Sequence, residues 1–364
     1  MIISTATIFQ VLVYQVAWGC RSLLALDQRL RLARFREIFS CKRKSVVSDS
    51  TLRRSLEGWN LDTLRRTTAA VHARARAEER LTFHFSTGRS CRPCIADGSG
   101  FGGLLACALV CVGDKLTCGV DIEPMRKRGT ELAASRRLME RAMNTMGDTF
   151  ATHLLYDGLM ADRIDFRNAI SLWKMHLVVK TEDTRLEPIA WARDLFADVH
   201  SKSDAEVSGV VIAKGVDDLR NVEYEVWAVR GVMWTELEYP LNVARVVEVP
   251  LKGDNAGQPQ TYWVLTTDLT LLPSELRELS HLRWRIENNL FKSLNARVGS
   301  KRGYIRHQHV RIALLLIWFF GWTIFQSCDA FAAVRLACPG VKVTDSFVQD
   351  CIVLGEVDLH LNSL

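Results

Sequence analysis

The apolar residues Leu279, Leu282, Ile286 and Leu290 fall three and four apart, which is the stripe of a core-facing helix. The same spacing puts Ser280, Arg283 and Glu287 together on the neighbouring face. This helix is expected to start just after Leu272, with Pro273 in its first turn and Ser274 as a cap. A second helical region opens at Ser48. The stretch SDSTLRRSLEGW stops at Gly58, and Asn60 or Asp62 can cap a following helix that carries Leu61, Leu64 and Val71. At Asp97 the pattern changes. CIADGSGFGG leads into the strand-like runs LLACALVCV and LTCGVDI, then a helix from about Thr130 to Met146, a buried strand ending at Asp157, a further helix, and HLVVK at 176–180 as another strand. Beyond Lys180, EVSGVVI, VEYEVWAVR, LNVARVVEV and TYWVLTT alternate or run β-branched between turn signals such as Lys252-Gly253-Asp254-Asn255, as antiparallel strands do. Strands mixed with helices over this length imply an α/β or α+β core.

Two apolar stretches complicate that picture. The first 20 residues carry no charge, yet Gln10, Gln15 and three hydroxyl residues dilute them, and Arg21 follows the run where a secretory signal would have its basic residues first. Ile312 to Phe325 spans 14 residues, short for a membrane crossing. Both read as core helices, with a membrane element as the competing reading. At 364 residues and 48% hydrophobic, the chain can bury a large core in two or three structural units. Ten cysteines without regular spacing read as reduced core residues. Cys91 and Cys94 form one Cys-x-x-Cys pair, but a structural zinc needs four ligands and no second pair follows. The net charge of +6 is unevenly spread, since residues 21–80 hold fifteen Lys and Arg against seven Asp and Glu. That concentration suits a nucleic-acid footprint, and the two short helices joined by a glycine turn suit either recognition of an end sequence or a helical cap with a solvated basic face.

Candidate chemistry lies in three acids. Asp97 and Asp157 end strand-like runs and are each followed by glycine, while Glu287 sits among Arg283, Arg285 and Lys292. Alone, a strand-end Asp is usually a turn residue, and Arg283 with Glu287 is an ordinary ion pair one helical turn apart.

The stretch RWRIENNLFK, at 283–292, resembles the signature helix of a branch of the bacterial DDE transposases of insertion sequences, whose pattern is Tyr, two residues, Arg, three residues, Glu, six residues, Lys. Arg283 and Glu287 match it in spacing, Ser280 stands in place of the Tyr, and Leu294 in place of the Lys. The phrase Asp157-Gly158-Leu159-Met160-Ala161 looks like the family's second-Asp phrase, and the likeness covers roughly residues 45–326. It implies a ribonuclease-H-like mixed sheet with flanking helices, interrupted by an antiparallel β insertion, with helical N- and C-terminal segments. The expected divisions are a basic DNA-binding unit at 1–90, core at 91–180, the insertion at 181–272, completion of the core at 273–330, and a tail at 331–364.

It further implies that Asp97, Asp157 and Glu287 are catalytic and hold two Mg²⁺ ions, or Mn²⁺, because hard divalent ions take carboxylate oxygens and two of them about 4 Å apart can activate a nucleophile and stabilise a departing oxygen. Arg283, Arg285 and Lys292 become phosphate contacts. Trp263 matches a family Trp that stacks on a flipped base, its alternative being a strand Trp in the β core. The expected function is cleavage of DNA at element ends and joining to target DNA, by a homodimer in the bacterial cytoplasm at the nucleoid, with no membrane partner. Ser280 and Leu294 motivate the alternative of a catalytically degenerate, transposase-derived DNA-binding protein.

Overall fold

A computed structural model describes residues 3–32, 47–160, 162–303 and 305–327; the expected tail at 331–364 lies outside them. In chain order the elements are α1 (Thr5–Trp18), α2 (Leu23–Leu30), α3 (Asp49–Glu57), α4 (Leu61–Ala77), β1 (Phe83–His84), β2 (Ser90–Cys91), β3 (Pro93–Phe101), β4 (Leu104–Val112), β5 (Thr117–Pro124) and α5 (Glu131–Met146). There follow β6 (His153–Asp157), α6 (Arg163–Ser171), β7 (His176–Thr181), α7 (Glu187–Ala197), α8 (Lys202–Val207), and β8 to β11 (Val210–Asp217, Val222–Val232, Leu241–Pro250, Gln260–Thr266). The chain closes with α9 (Pro273–Leu282), a π-helical turn (Ile286–Phe291), α10 (Lys292–Val298) and α11 (Gln308–Ser327). Two compact units form. One holds Met1–Leu81, Gly98–Met146 and Arg285–Leu364, and the other holds Thr82–Asp97 and Gly147–Trp284, so β3 leaves the second unit after Asp97.

In the first unit, α1 is buried along Val11, Leu12 and Val16, which accounts for its lack of charge. Its Gln15 is fully buried and fully used: Nε2 donates to the Cys20 carbonyl at 2.8 Å, and Oε1 accepts from Trp318 Nε1 at 3.0 Å. The expected run Ile312–Phe325 lies inside α11, which is 20 residues long with mean hydropathy 1.5 over its apolar window, 72% of that window buried in the protein. By length and composition this helix could cross a membrane; here it packs on α1 and on β5. Gly119 of β5 has no room for a side chain, since a Cβ would stand 2.6 Å from the Phe319 ring.

The basic N-terminal helices also pack into this unit. Arg65 of α4 is 13% exposed and pairs with Asp121 of β5 at 3.0 Å. Asp121 also takes Arg141 at 2.6 Å, and Arg141 in turn reaches Glu123 at 2.7 Å. Part of the N-terminal charge therefore neutralises buried strand acids, as a helical cap on the unit would.

In the second unit the sheet order is β3-β6-β7-β11-β10-β9-β8. β3, β6 and β7 are parallel, with α6 as the crossover between β6 and β7, and the other pairings are antiparallel. The strands expected as a β insertion are antiparallel, but β11 hydrogen-bonds to β7 from Thr266↔Val178 to Trp263↔Thr181. They extend the sheet that holds β6 and β7 instead of forming a separate body. Below β6 and β7, Asp268 accepts from His153 Nε2 at 3.1 Å and from the Thr270 hydroxyl and N–H, both at 2.7 Å. Burial alone would push its carboxyl up, but these hydrogen bonds hold it below the usual aspartate range.

Two expectations follow. Gly119→Ala should lower stability by about 1–3 kcal/mol through overpacking against Phe319, read as a drop in Tm. Because the Asp268 carboxyl is depressed, its contribution is present at neutral pH and lost as pH falls below about 4. Asp268→Asn should therefore lower Tm at pH 7 and flatten the acid limb of a Tm–pH curve; an unchanged acid limb would show that Asp268 is not its source.

Candidate active site on the parallel strands

The parallel strands place two acids side by side. β3 and β6 pair Pro93↔His153, Cys94↔Leu154 and Ile95↔Leu155, and continuing that register sets Asp97 opposite Asp157. β6 and β7 pair Asp157↔Lys180, so Lys180 is next in the same row. In-register residues share a sheet face, and both carboxylates meet one cation. Arg283 Nη1 lies 3.7 Å from Asp97 Oδ2 and 3.5 Å from Asp157 Oδ2. Asp157 also accepts the Gly158 N–H through Oδ1 at 2.6 Å. The glycine after the acid has a packing reason, because a Cβ there would stand 2.5 Å from Thr181 Oγ1 and 2.8 Å from Thr181 Cα.

Arg283 is delivered by α9. Its first turn is closed by Glu275, which accepts the Leu272 N–H at 2.9 Å, so Leu272 and not Ser274 is the cap. α9 buries polar residues as well as Leu276, Leu279 and Leu282. Arg277 Nε donates to Glu248 at 2.5 Å, and both its Nη atoms reach Asp217 at 3.1 Å. Arg220 Nη1 lies 2.9 Å from His281 Nδ1. Arginine can only donate, so Nδ1 is the acceptor and Nε2–H donates to Glu248 at 2.7 Å. That tautomer is neutral, in keeping with the burial that lowers the affinity of His281 for a second proton. Burial pushes the Glu248 carboxyl up, and the donors His281 and Arg277 outweigh it, leaving it below its ordinary range.

Asp157 opens on a cleft of about 840 Å³ lined also by Lys180, Arg220, Tyr262, Arg283 and Trp284 among others. Lys180 Nζ lies over the Tyr262 ring at 3.7 Å and over the Trp284 ring at 5.0 Å. Burial brings its ammonium down to about 8, with Arg283 and Arg220 adding to the effect and Glu248 opposing it.

The expected signature helix is three segments. α9 ends at Leu282, and Glu287 enters a six-residue π turn in the first unit, exposed to solvent. The π turn departs from the 3.6-residue period on which the sequence reading relied, and single π turns recur at functional positions. Arg285 donates to the carbonyls of Gly113 at 2.6 Å and Asp114 at 3.2 Å, and Lys292 to Asn288 Oδ1 at 2.5 Å. Among the described residues no three His, Cys, Asp or Glu side chains form a group able to hold a metal. Asp97 and Asp157 fit part of a divalent-cation site, since Mg²⁺ commonly takes one or two carboxylates and keeps waters or phosphate oxygens.

Trp263 is 3% exposed and stacks on Phe196 with ring centroids 6.0 Å apart and an interplanar angle of 1°, the packing of the strand Trp in the β core that was its alternative reading. Neighbouring strand residues point to opposite faces, and it is Tyr262 that faces the cleft. The exposed aromatic there is Trp284, at 44%. Sequence reading missed Lys180, Tyr262 and Glu248. The strand end at Lys180, next to a strand ending in Asp157, was the available signal for the first of these.

No protein-family model and no curated protein matches the chain. Among solved structures it is similar in fold to a piggyBac transposase, described in a synaptic complex with hairpin DNA, at 12% sequence identity and a TM-score of 0.36 over 95% of this chain and 74% of that one.

If Arg283 neutralises the acid pair, Arg283→Gln should lower stability in EDTA by roughly 1 kcal/mol, a modest figure because Asp157 is partly screened by solvent. Millimolar Ca²⁺ should raise the Tm of the variant more than that of the natural protein. Equal Ca²⁺ shifts in both would argue against a shared site.

Proposed function

We propose that this chain is a DDE-type DNA transposase of an insertion sequence. The observation that carries the reading is the pair of in-register acids, Asp97 and Asp157, on neighbouring parallel strands and facing one guanidinium. The resemblance at 283–292 supports it, with Glu287 four residues after Arg283. In this reading Asp97, Asp157 and Glu287 hold two Mg²⁺ ions, which Mn²⁺ can replace. Divalent ions at such carboxylates activate the attacking water or 3′ hydroxyl and stabilise the departing oxygen.

The chain's own residues do the positioning. Arg283 releases its hold on the acids and pairs with a phosphate of the bound strand, as a planar guanidinium suits. Arg285 and Lys292 are phosphate contacts along the same segment. The remaining parts of the proposal are a homodimer holding two element ends, and a cytoplasmic, nucleoid-associated location.

A specific observation favours a second reading, a degenerate copy that binds DNA without cutting it. Leu294, where the resemblance wants a lysine, is fully buried, and Ser280, where it wants a tyrosine, is 3% exposed with Oγ 3.2 Å from the Tyr262 hydroxyl. Neither position offers a phosphate contact.

The test is excision of a marked DNA segment bounded by the element's own ends, in Mg²⁺ or Mn²⁺. Asp97→Asn, Asp157→Asn and Glu287→Gln should each reduce excision by at least about a thousandfold, in line with loss of a metal-held transition state, while end binding persists. End binding without cutting by the natural protein selects the degenerate reading, and absence of both rejects the transposase proposal.

A further inference from the structure

β8 (Val210–Asp217) ends the sheet of the second unit, and among the described residues no strand pairs with its outer side. A strand in that position leaves a row of backbone N–H and C=O groups open to a further strand, and proteins commonly guard such an edge with proline, a bulge or unpaired charge. β8 has none of these guards. It contains no proline, and it pairs with β9 from Val210↔Val229 to Asp217↔Val222 without a break in register. Lys214, its one cation, is held by Glu225 of β9 at 3.1 Å. Val211 and Val216 are left 44% and 57% exposed. An open groove of about 680 Å³ is lined by Val210, Val211 and Ile212 of this strand together with Lys202 and Ala205 of α8.

We propose that the outer edge of β8 is a self-association surface, where β8 of a second copy adds antiparallel to it and carries the sheet from one subunit into the other. The inference rests on the homodimer of the reading above and names the surface that forms it. The strand's own sequence argues for a second copy. Two identical strands related by a two-fold axis through the sheet set residues of the same face opposite each other, so the axis passes through one residue position. On one face lie Val211, Ala213 and Gly215, and on the other Val210, Ile212, Lys214 and Val216. An axis at Lys214 would bring like charges together. An axis at Ile212 would leave Val216 beyond the paired stretch. With Ala213 at the axis, Val210 faces the partner's Val216, Ile212 faces the aliphatic stem of the partner's Lys214, and Val211 faces the partner's Gly215. No like charges meet, and both exposed valines are covered. The Tyr224 ring already fills the place of a side chain at Gly215, where a Cβ would stand 2.6 Å from its Oη, so the glycine leaves no void beside Val211. Two strand edges bury little area, so the association is of about micromolar strength.

The experiment is sedimentation velocity of the full chain without DNA, over a range of about 1 to 100 µM protein. The natural protein should pass from monomer to dimer across that range. Ala213→Glu, which sets two carboxylates opposite each other at the axis, should raise the dissociation constant about fivefold or more while leaving the circular dichroism unchanged. Cysteine cross-linking then reads the register. Ala213→Cys should give a disulfide-linked dimer on mild oxidation, because directly opposed residues of an antiparallel pair lie within disulfide reach. Ile212→Cys and Lys214→Cys should link when mixed and stay single when alone. The natural protein, whose described cysteines are buried, is the control for background linkage. A natural protein that stays monomeric at about 100 µM, a dimer that Ala213→Glu does not weaken, or an Ala213→Cys chain that does not link overturns the surface, whatever DNA the chain binds or cuts. A dimer linked through Ala213→Cys that neither binds nor cuts element ends leaves the surface standing and rejects the DNA reading.

Discussion

Asp97 and Asp157 stand level on neighbouring parallel strands, and two like charges at strand spacing persist together only with a cation between them. Arg283 is that cation, and much of the second unit serves to put it there. α9 carries it, and α9 is fastened to the sheet by the ion pairs of Arg277 with Glu248 and Asp217 and by the hydrogen bond of neutral His281 to Glu248. A buried network of this kind is costly if any member lacks a partner, so its completeness around α9 restricts the helix to one position. Gly158, which lets β7 pass close to the acid, belongs to the same constraint.

In the proposed reading the acid pair has two alternative partners. A divalent ion at these carboxylates would compete with the guanidinium for the same oxygens, so in the proposed reading loading a metal would mean freeing Arg283. A phosphate beside the site favours the exchange by offering the guanidinium a new bidentate partner. Metal and DNA would then assist each other's binding by the same factor, as linkage requires. The cleft beside Asp157 is walled by groups from β7, β11 and the end of α9, and the two strands are set by one sheet register.

The first unit shows how charge that looks free in sequence becomes structural. Arg65, Arg137 and Arg141 converge on Asp121 and Glu123 of β5, and Arg285 closes on the carbonyls of Gly113 and Asp114. A basic composition is thus partly the counterweight of acids in strands, and the N-terminal surplus overstates what is left for a nucleic acid.

Local pattern was enough for most of the elements. The strands ending at Asp157 and Lys180, the helix before them and the antiparallel run from 210 to 266 follow from periodicity and turn residues, because these depend on neighbours in the chain. Motif spacing singled out Asp97, Asp157 and Arg283 as candidates. Their convergence was not legible, since it depends on the parallel register of β3 with β6, and a shift of one residue would turn either acid to the other face. The same rule decided between Tyr262 and Trp263, adjacent in sequence and opposite in space. Sequence by itself determined the elements and the acids; which side chains face one another was decided only when the strands paired, because pairing joins residues that no local preference connects.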